Sequence, residues 1–288
     1  MNGFYNVIKP IGWSSSDVVI KIRGILRRKT GQKMKVGHLG TLDPLATGVL
    51  GVAVGSATKL FDYFLSKRKT YIATCVLGKT TSTLDEAGEV TESTDVPSLE
   101  DSRVEEVLHS FIGTIDQIPP RFSAKSVNGV RAYRLALKGV DTNLKPCRVT
   151  IYDCKLLERI DNETFRFSVE CSGGTYIRSL CRDIGAKLSL PAYMSSLQRT
   201  QNGVMKLENA TTIPEIEENT DGGFVSLEEF SFQLKTLDFP DDYRKKLDNG
   251  VKLNVEDEDV LCGVRVAGDF YAIGQIKGGL LEIVARDK

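Results

Sequence analysis

Behind Ser14 the apolar residues Val18, Ile22, Ile25 and Leu26 recur at helical spacing, while Lys21, Arg23, Arg27 and Arg28 fall between them. Ser14-Ser15-Ser16-Asp17 offers a cap and Gly31 a stop, so this run predicts a helix with one apolar and one basic face. Residues 49–54 and 71–77 read as buried strands, with a helical stretch over 57–65 between them. Ser98 with Asp101 predicts the start of a second helix whose apolar stripe is Val104, Val107, Leu108 and Phe111. Residues 149–157 and 164–171 predict a hairpin around Asp161-Asn162, with Phe165, Phe167, Val169 and Cys171 on one face. After Ser172-Gly173-Gly174-Thr175 a further helix points Ile177, Leu180, Ile184 and Leu188 inward, which puts Arg178 and Arg182 together on a different face. Helices and strands do not alternate cleanly, so the pattern predicts an α/β (α+β) fold on a mixed sheet, not a doubly wound parallel one.

From about residue 212 the chain turns polar and acidic, with Pro214, Asn219, Asp221, Gly222 and Gly223, and this reads as a boundary. Beyond it, residues 264–266, 270–273 and 280–284 are short strand signals divided by Gly268-Asp269 and Gly278-Gly279. They predict a small C-terminal all-β module. The expected division is 1–211 for a main domain and 212–288 for linker and module, and 288 residues give ample material for a core.

Composition narrows the class. Hydrophobic residues at 41% and charged residues at 26% are ordinary for a globular protein, and no apolar run approaches the ~18 residues of a membrane span. The N-terminal residues lack the basic and apolar regions of a signal peptide, so a cytoplasmic location is expected. Six cysteines without a C-x-x-C pair, and only two histidines, His38 and His109, support neither a zinc site nor a disulfide framework. Formal net charge is zero, yet the charge is segregated along the chain. Residues 21–35 carry Lys21, Arg23, Arg27, Arg28, Lys29, Lys33 and Lys35 with no acid. A second basic zone holds Arg121, Lys125, Arg131, Arg134, Lys138, Lys145 and Arg148 against only Asp141. Two such zones suit a groove for a phosphate backbone, although from charge alone solvated helix faces are the commoner explanation.

The residue that needs a chemical explanation is Asp43. It sits in Gly37-His38-Leu39-Gly40-Thr41-Leu42-Asp43-Pro44-Leu45-Ala46-Thr47-Gly48-Val49-Leu50, a glycine-punctuated and otherwise apolar segment. Gly37, Gly40 and Gly48 permit backbone angles that a Cβ opposes, and Pro44 restricts Asp43 itself. An Asp-Pro turn is ordinarily solvated, whereas Leu42, Leu45, Val49 and Leu50 draw this one toward a core, where a carboxylate needs a partner. Other chemistries are poorly served. Val76-Leu77-Gly78-Lys79-Thr80 ends like a P-loop but has Ala73 where the opening glycine belongs. No dinucleotide fingerprint is present, and neither histidine lies near a nucleophile elbow.

The segment 37–50 resembles the catalytic motif of the TruB-type tRNA pseudouridine synthases, with Asp43 at the position of the nucleophilic aspartate. Other stretches resemble the same family in the same order. Lys9-Pro10-Ile11-Gly12-Trp13-Ser14-Ser15 is similar to its N-terminal K-P-x-G motif, with Ser15 in place of an expected threonine. Arg68-Lys69-Thr70-Tyr71 resembles the segment with the active-site tyrosine, and Gly174-Thr175-Tyr176-Ile177-Arg178-Ser179-Leu180 the one with its arginine. Residues 118–125 followed by 129–133 are similar to the tRNA-gripping insertion, expected near 118–145, and Ser196-Leu197-Gln198-Arg199-Thr200 completes the series.

The resemblance implies isomerisation of the uridine at tRNA position 55, in the TΨC loop, by a lone chain without cofactor, metal or guide RNA. It implies a largely antiparallel sheet with flanking helices and a C-terminal module related to RNA-binding PUA domains. Asp43, Tyr71 and Arg178 are the implied catalytic residues, with His38, Tyr71, Tyr176 and Leu197 binding substrate and Lys9, Lys125, Arg131 and Arg134 at the RNA backbone. The chemistry suits these residue types. The bond from N1 to C1′ must break, the uracil must rotate, and C5 must join C1′. A carboxylate can attack C1′ or the ring, or remove the 2′ proton, and the sequence leaves these routes open. Arg178 would hold Asp43 ionised, while a flipped base needs a flat partner, for which Tyr71 offers a ring and a hydroxyl for the C5 proton. Two rivals stand beside this reading: a guide-RNA-dependent relative, and a non-catalytic RNA-binding protein on the same scaffold.

Overall fold

The computed structural model describes residues 1–123, 126–127, 130–131 and 144–287. Lys125 and Arg134 lie outside the described residues, and of Arg131 only the backbone is described. In chain order the first elements are β1 (Gly3–Lys9), α1 (Ser15–Thr30), β2 (Val36–His38), β3 (Ala46–Val54), α2 (Phe61–Ser66), β4 (Lys69–Leu77), β5 (Lys79–Thr81), β6 (Val90–Ser93), α3 (Asp101–His109) and β7 (Gly113–Gln117). There follow β8 (Ser126–Val127), β9 (Val130–Arg131), β10 (Cys147–Arg159), β11 (Thr164–Cys171), α4 (Ile177–Lys187), β12 (Ala192–Asn202) and β13 (Met205–Lys206). The last are α5 (Ile213–Glu218), β14 (Phe224–Ser226), α6 (Leu227–Ser231), β15 (Lys235–Phe239), α7 (Arg244–Asp248), β16 (Leu253–Asn254), β17 (Leu261–Val266), β18 (Asp269–Lys277) and β19 (Leu280–Ala285). They fall into two compact units, one of Met1–Pro44, Gly48–Leu65 and Val204–Lys288, the other of Leu45–Thr47 and Ser66–Gly203.

In the first unit β1 lies between β14 and β3, and β2 pairs with the far end of β3, all antiparallel. Strand alternation sends the two faces of β1 and β3 into two cores. Tyr5, Val7, Leu50 and Val52 meet Val18, Ile22, Ile25 and Leu26 of α1, together with Ile213 and Ile216 of α5. Phe4, Val49 and Ala53 meet Phe64, Phe230, Leu261, Ile273 and Ala285. Full burial of each such side chain contributes about 1.5–3 kcal/mol. α1 starts as expected at Ser14, in a capping box with Asp17, and stops at Gly31, whose φ of 70° is left-handed. The stretch read as a boundary carries structure of its own. Thr212 caps α5 through a box with Glu215, and β14 extends the sheet. The C-terminal strands run in the order β15-β17-β18-β19-β16, with β15 parallel to β17 and the other pairs antiparallel. Leu247, Leu253, Val264, Val266, Ile276 and Leu281 give this sheet a core of its own.

In the second unit an antiparallel sheet runs β12-β4-β11-β10-β7, with a β5–β6 hairpin beside it and α4 packed on β12 and β4. The expected hairpin is β10–β11, and Phe165, Phe167, Val169 and Cys171 are buried along one face. Two expectations change. The N-cap of α3 is Glu100, with no side-chain hydrogen bond, because Ser98 lies two residues too early to reach the first free amides. Arg178 is buried with the apolar residues of α4, held there by the ion pair described below. Strands β1 and β12 carry no clean alternation in sequence. Lys9 and Asn6 are buried in β1, and two register shifts interrupt β12.

Candidate active site

Asp43 is half-buried in the first unit, in a loop fixed on both sides by the segment 9–15. The Ser15 hydroxyl accepts from the Leu42 N–H at 2.8 Å and donates to the Leu42 carbonyl at 3.0 Å. The Pro44 carbonyl accepts from the Gly12 N–H at 2.8 Å and from Lys9 Nζ at 3.2 Å. Both peptide neighbours of Asp43 are therefore tied, which aims its carboxylate. Gly40 and Gly48 take φ of 133° and 97°, which a side chain would oppose, whereas Gly37 has no such angle. His38 is half-buried at the end of β2, opposite Val52.

Lys9 corrects an expectation. It is fully buried, and its ammonium donates to the carbonyls of Pro10 at 2.8 Å, Trp13 at 2.6 Å and Pro44 at 3.2 Å. A buried ammonium must be satisfied internally, so Lys9 positions the Asp43 loop and does not face an RNA backbone. The first basic cluster is also partly neutralised. Glu217 of α5 pairs with Lys21 at 2.9 Å and Arg28 at 2.5 Å, and Arg23 donates to the Val36 carbonyl at 3.0 Å. Arg27, Lys29, Lys33 and Lys35 stay exposed.

In the second unit Tyr71 is buried in β4, with Val169 of β11 and Arg199 of β12 as its register partners. Leu197, also buried, lies opposite Ala73, one step along the same face. Lys69 shares that face. Burial pushes its pKa down to about 8, with nearby Arg199 adding to the effect, and its Nζ donates to the Lys67 carbonyl at 2.6 Å.

Arg178 and Asp85 form a buried ion pair at 3.3 Å, with side-chain exposures of 6% and 9%. Arg178 also donates through Nη1 to the Thr83 carbonyl at 3.1 Å and through Nη2 to the Phe122 carbonyl at 2.9 Å. Asp85 Oδ1 accepts from Thr83 Oγ1 at 2.5 Å and the Ala87 N–H at 3.1 Å, leaving Oδ2 for Arg178. Between Thr83 and Asp85, Leu84 is left-handed at φ 61°, a conformation that a branched residue with a Cβ adopts at a cost. The surrounding bonds hold it, since Met194 N–H binds the Leu84 carbonyl at 3.1 Å and Thr81 Oγ1 the Asp85 carbonyl at 2.6 Å. Sequence reading placed Asp85 only in an acidic stretch. Its partner is 93 positions away, and the one local signal is a threonine two residues before it.

Tyr176 is half-buried at the N-cap of α4, with its backbone N–H and carbonyl both bound by the Gln117 side chain, at 2.8 and 3.1 Å. Gln117 was not among the expected site residues. The arrangement thus supplies a fixed carboxylate in one unit and, in the other, a buried guanidinium, a buried phenol and a leucine on one sheet. Taken singly, a fixed carboxylate can serve as a nucleophile or base, and a phenol as a proton donor or acceptor.

Residues 27–177 match the TruB family pseudouridylate synthase (N terminal domain), just over half of the chain. The tRNA pseudouridine synthase B of Rickettsia bellii is 41% identical over 288 aligned positions, covering 96% of this chain and 95% of that protein. That of Clostridium perfringens is 40% identical over 254, covering 88% and 85%. Among solved structures, a chain in a crystal structure of a Cbf5-Nop10-Gar1 complex has a TM-score of 0.71 at 25% identity, covering 99% of this chain and 84% of that one. A chain in an H/ACA RNP bound to a substrate RNA containing 2′-deoxyuridine has a TM-score of 0.70 at 24% identity and shows the same fold.

Proposed function

The chain belongs to the TruB family of pseudouridylate synthases, and from that premise we propose that it isomerises the uridine at position 55, in the TΨC loop of tRNA, to pseudouridine. The observation that carries the reading is the Asp43 loop, a motif of this family whose flanking peptides are held by Ser15, Gly12 and Lys9. Preorganisation of this kind is what a nucleophile or base needs, because the geometry is fixed before substrate arrives.

Each role follows its motif. Asp43 attacks C1′ or the ring, or removes the 2′ proton, and Arg178 keeps the reacting carboxylate ionised. Tyr71 stacks on the displaced uracil and takes part in removal of the C5 proton. Tyr176 and Leu197 bound the base, and His38 contacts the displaced RNA loop. Lys125, Arg131 and Arg134 engage phosphates from the insertion near 118–145, and the C-terminal module adds RNA contact. We place the enzyme in the cytoplasm, as a monomer needing neither guide RNA nor cofactor.

The test is incubation of the purified chain with an unmodified tRNA transcript and no guide RNA, followed by chemical mapping of pseudouridine. Product confined to the TΨC loop is the expected result. Product only after a guide RNA and partner proteins are added would favour the second reading, which the similarity to a chain of the Cbf5-Nop10-Gar1 complex supports. Binding without product would leave a non-catalytic RNA-binding protein.

A further inference from the structure

The first turn of α4 makes no side-chain cap of its own. Tyr176 is its N-cap residue, extended at φ −102° and ψ 110°, and carries no capping hydroxyl or carboxylate. In a capping box the N3 side chain reaches back to the N-cap N–H. N3 is Ser179 here, and its hydroxyl donates to the Ile118 carbonyl at 2.8 Å instead. The vacant place is taken from another element. Gln117, at the end of β7 and only 1% exposed, accepts the Tyr176 N–H at 2.8 Å and donates to the Tyr176 carbonyl at 3.1 Å. That carbonyl also accepts the Leu180 N–H at 3.0 Å, so it is the first acceptor of the helix ladder. The attachment is reciprocal, because Arg178 donates to the Phe122 carbonyl at 2.9 Å and Arg182 to the Ile118 carbonyl at 3.1 Å.

We propose that Gln117 is a positioning residue of the uridine site, completing in trans the cap of α4 and thereby fixing the backbone that carries Tyr176 and Arg178. The inference rests on the uridine-site roles given above to those two residues. A buried carboxamide bound at both ends to one residue fixes the two peptides that flank its Cα, whereas an apolar side chain of equal length would fill the space and remove both bonds. The role acts on the helix start and not on the reacting atoms. Its loss should lower turnover more than tRNA binding.

Two variants test this. Gln117→Met keeps length and volume without the hydrogen bonds. Gln117→Glu keeps the acceptor for the Tyr176 N–H but, when ionised, sets an oxygen against the Tyr176 carbonyl, and on protonation it regains a donor there. We expect Gln117→Met to lower kcat about 10- to 100-fold, the scale of a displaced catalytic group, with tRNA affinity within about threefold. The activity of Gln117→Glu relative to the unmodified protein should rise as pH is lowered from about 8 to about 6, because burial favours the neutral acid. A role in packing alone predicts no such recovery. If Gln117→Met does not fold, the pH ratio of Gln117→Glu decides. Turnover of Gln117→Met at the unmodified rate, or a flat pH ratio for Gln117→Glu, overturns the positioning role while the unmodified protein remains active. An inactive unmodified protein overturns the proposed function, and the positioning role with it.

Discussion

Replacing Asp85 by alanine removes a carboxylate partner, 3.3 Å away, of a guanidinium that is nearly enclosed, at 6% side-chain exposure. Breaking a buried pair from one side leaves a charge without compensation and costs about 3–5 kcal/mol. Arg178 keeps the Phe122 carbonyl at 2.9 Å, which softens the loss. The Thr83 carbonyl is less secure, since the turn that presents it is held by the bonds from Thr83 Oγ1 and the Ala87 N–H to Asp85 Oδ1. With one carbonyl retained and one loosened, the lower end of the range applies, about 3 kcal/mol. In a chain of 288 residues that is a fall in Tm of roughly 5 °C. Circular-dichroism melting measures it directly, and pseudouridine formation under the same conditions should fall about 100-fold as Arg178 shifts. The double variant Asp85→Leu with Arg178→Met separates stability from chemistry. Exchange of a whole buried pair for apolar groups is neutral or stabilising, so Tm should recover while activity stays lost. An Asp85→Ala protein that melts within about 2 °C of the unmodified chain and turns over at its rate would refute the reasoning.

Asp43→Asn should abolish product while tRNA binding, followed by filter retention, stays within about tenfold, because phosphate contacts remain; turnover near the unmodified rate would make Asp43 a structural turn residue. Tyr71→Phe should bind tRNA normally yet fail to release tritium from C5 at a useful rate, and Tyr71→Leu should lose a further ~1–3 kcal/mol of stacking; unchanged release from the phenylalanine variant would leave stacking as the sole role. Lys69, with its pKa lowered to about 8, is costly to bury charged. The unfolded state holds the extra proton between about 8 and the ordinary 10.5, so this cost is full below pH 8 and is relieved as pH rises through that window. Lys69→Met should accordingly stabilise by up to ~3 kcal/mol near pH 7 and by little above about pH 10.5, as read from urea titrations at the two pH values; equal stabilisation at both would count against the lowered pKa.

The sequence made α1 legible because its cap, stripe and stop are all local, Ser14 with Asp17, Val18 to Leu26, and Gly31. The β10–β11 hairpin was legible for the same reason, with alternation on both sides of a short turn. The parts that escaped are those where a polar side chain is buried against a distant partner. Lys9 reads as a cation for phosphate until three carbonyls are seen around it. Asp85 reads as one more acid on a solvated loop, and Gln117 as an ordinary strand end, until Arg178 and Tyr176 are placed beside them. Strand β12 was missed because Arg199 and Asn202 are buried in it and its register shifts break the alternation.

The shared core of Phe4, Val49, Phe64, Phe230, Leu261, Ile273 and Ala285 has a consequence for biosynthesis. Phe4 and Phe230, whose rings lie 4.9 Å apart, leave the ribosome about 225 residues apart. At roughly 5–20 residues per second that interval lasts about 11–45 s. Residues 66–203 emerge within it and can assemble their own sheet, while one face of β1 and β3 waits uncovered for the C-terminal strands. The earliest strand of the nascent chain is thus among the last to be sheltered, which makes β1 and β3 the segments where chaperone holding acts and where a translational pause beyond residue 66 invites aggregation.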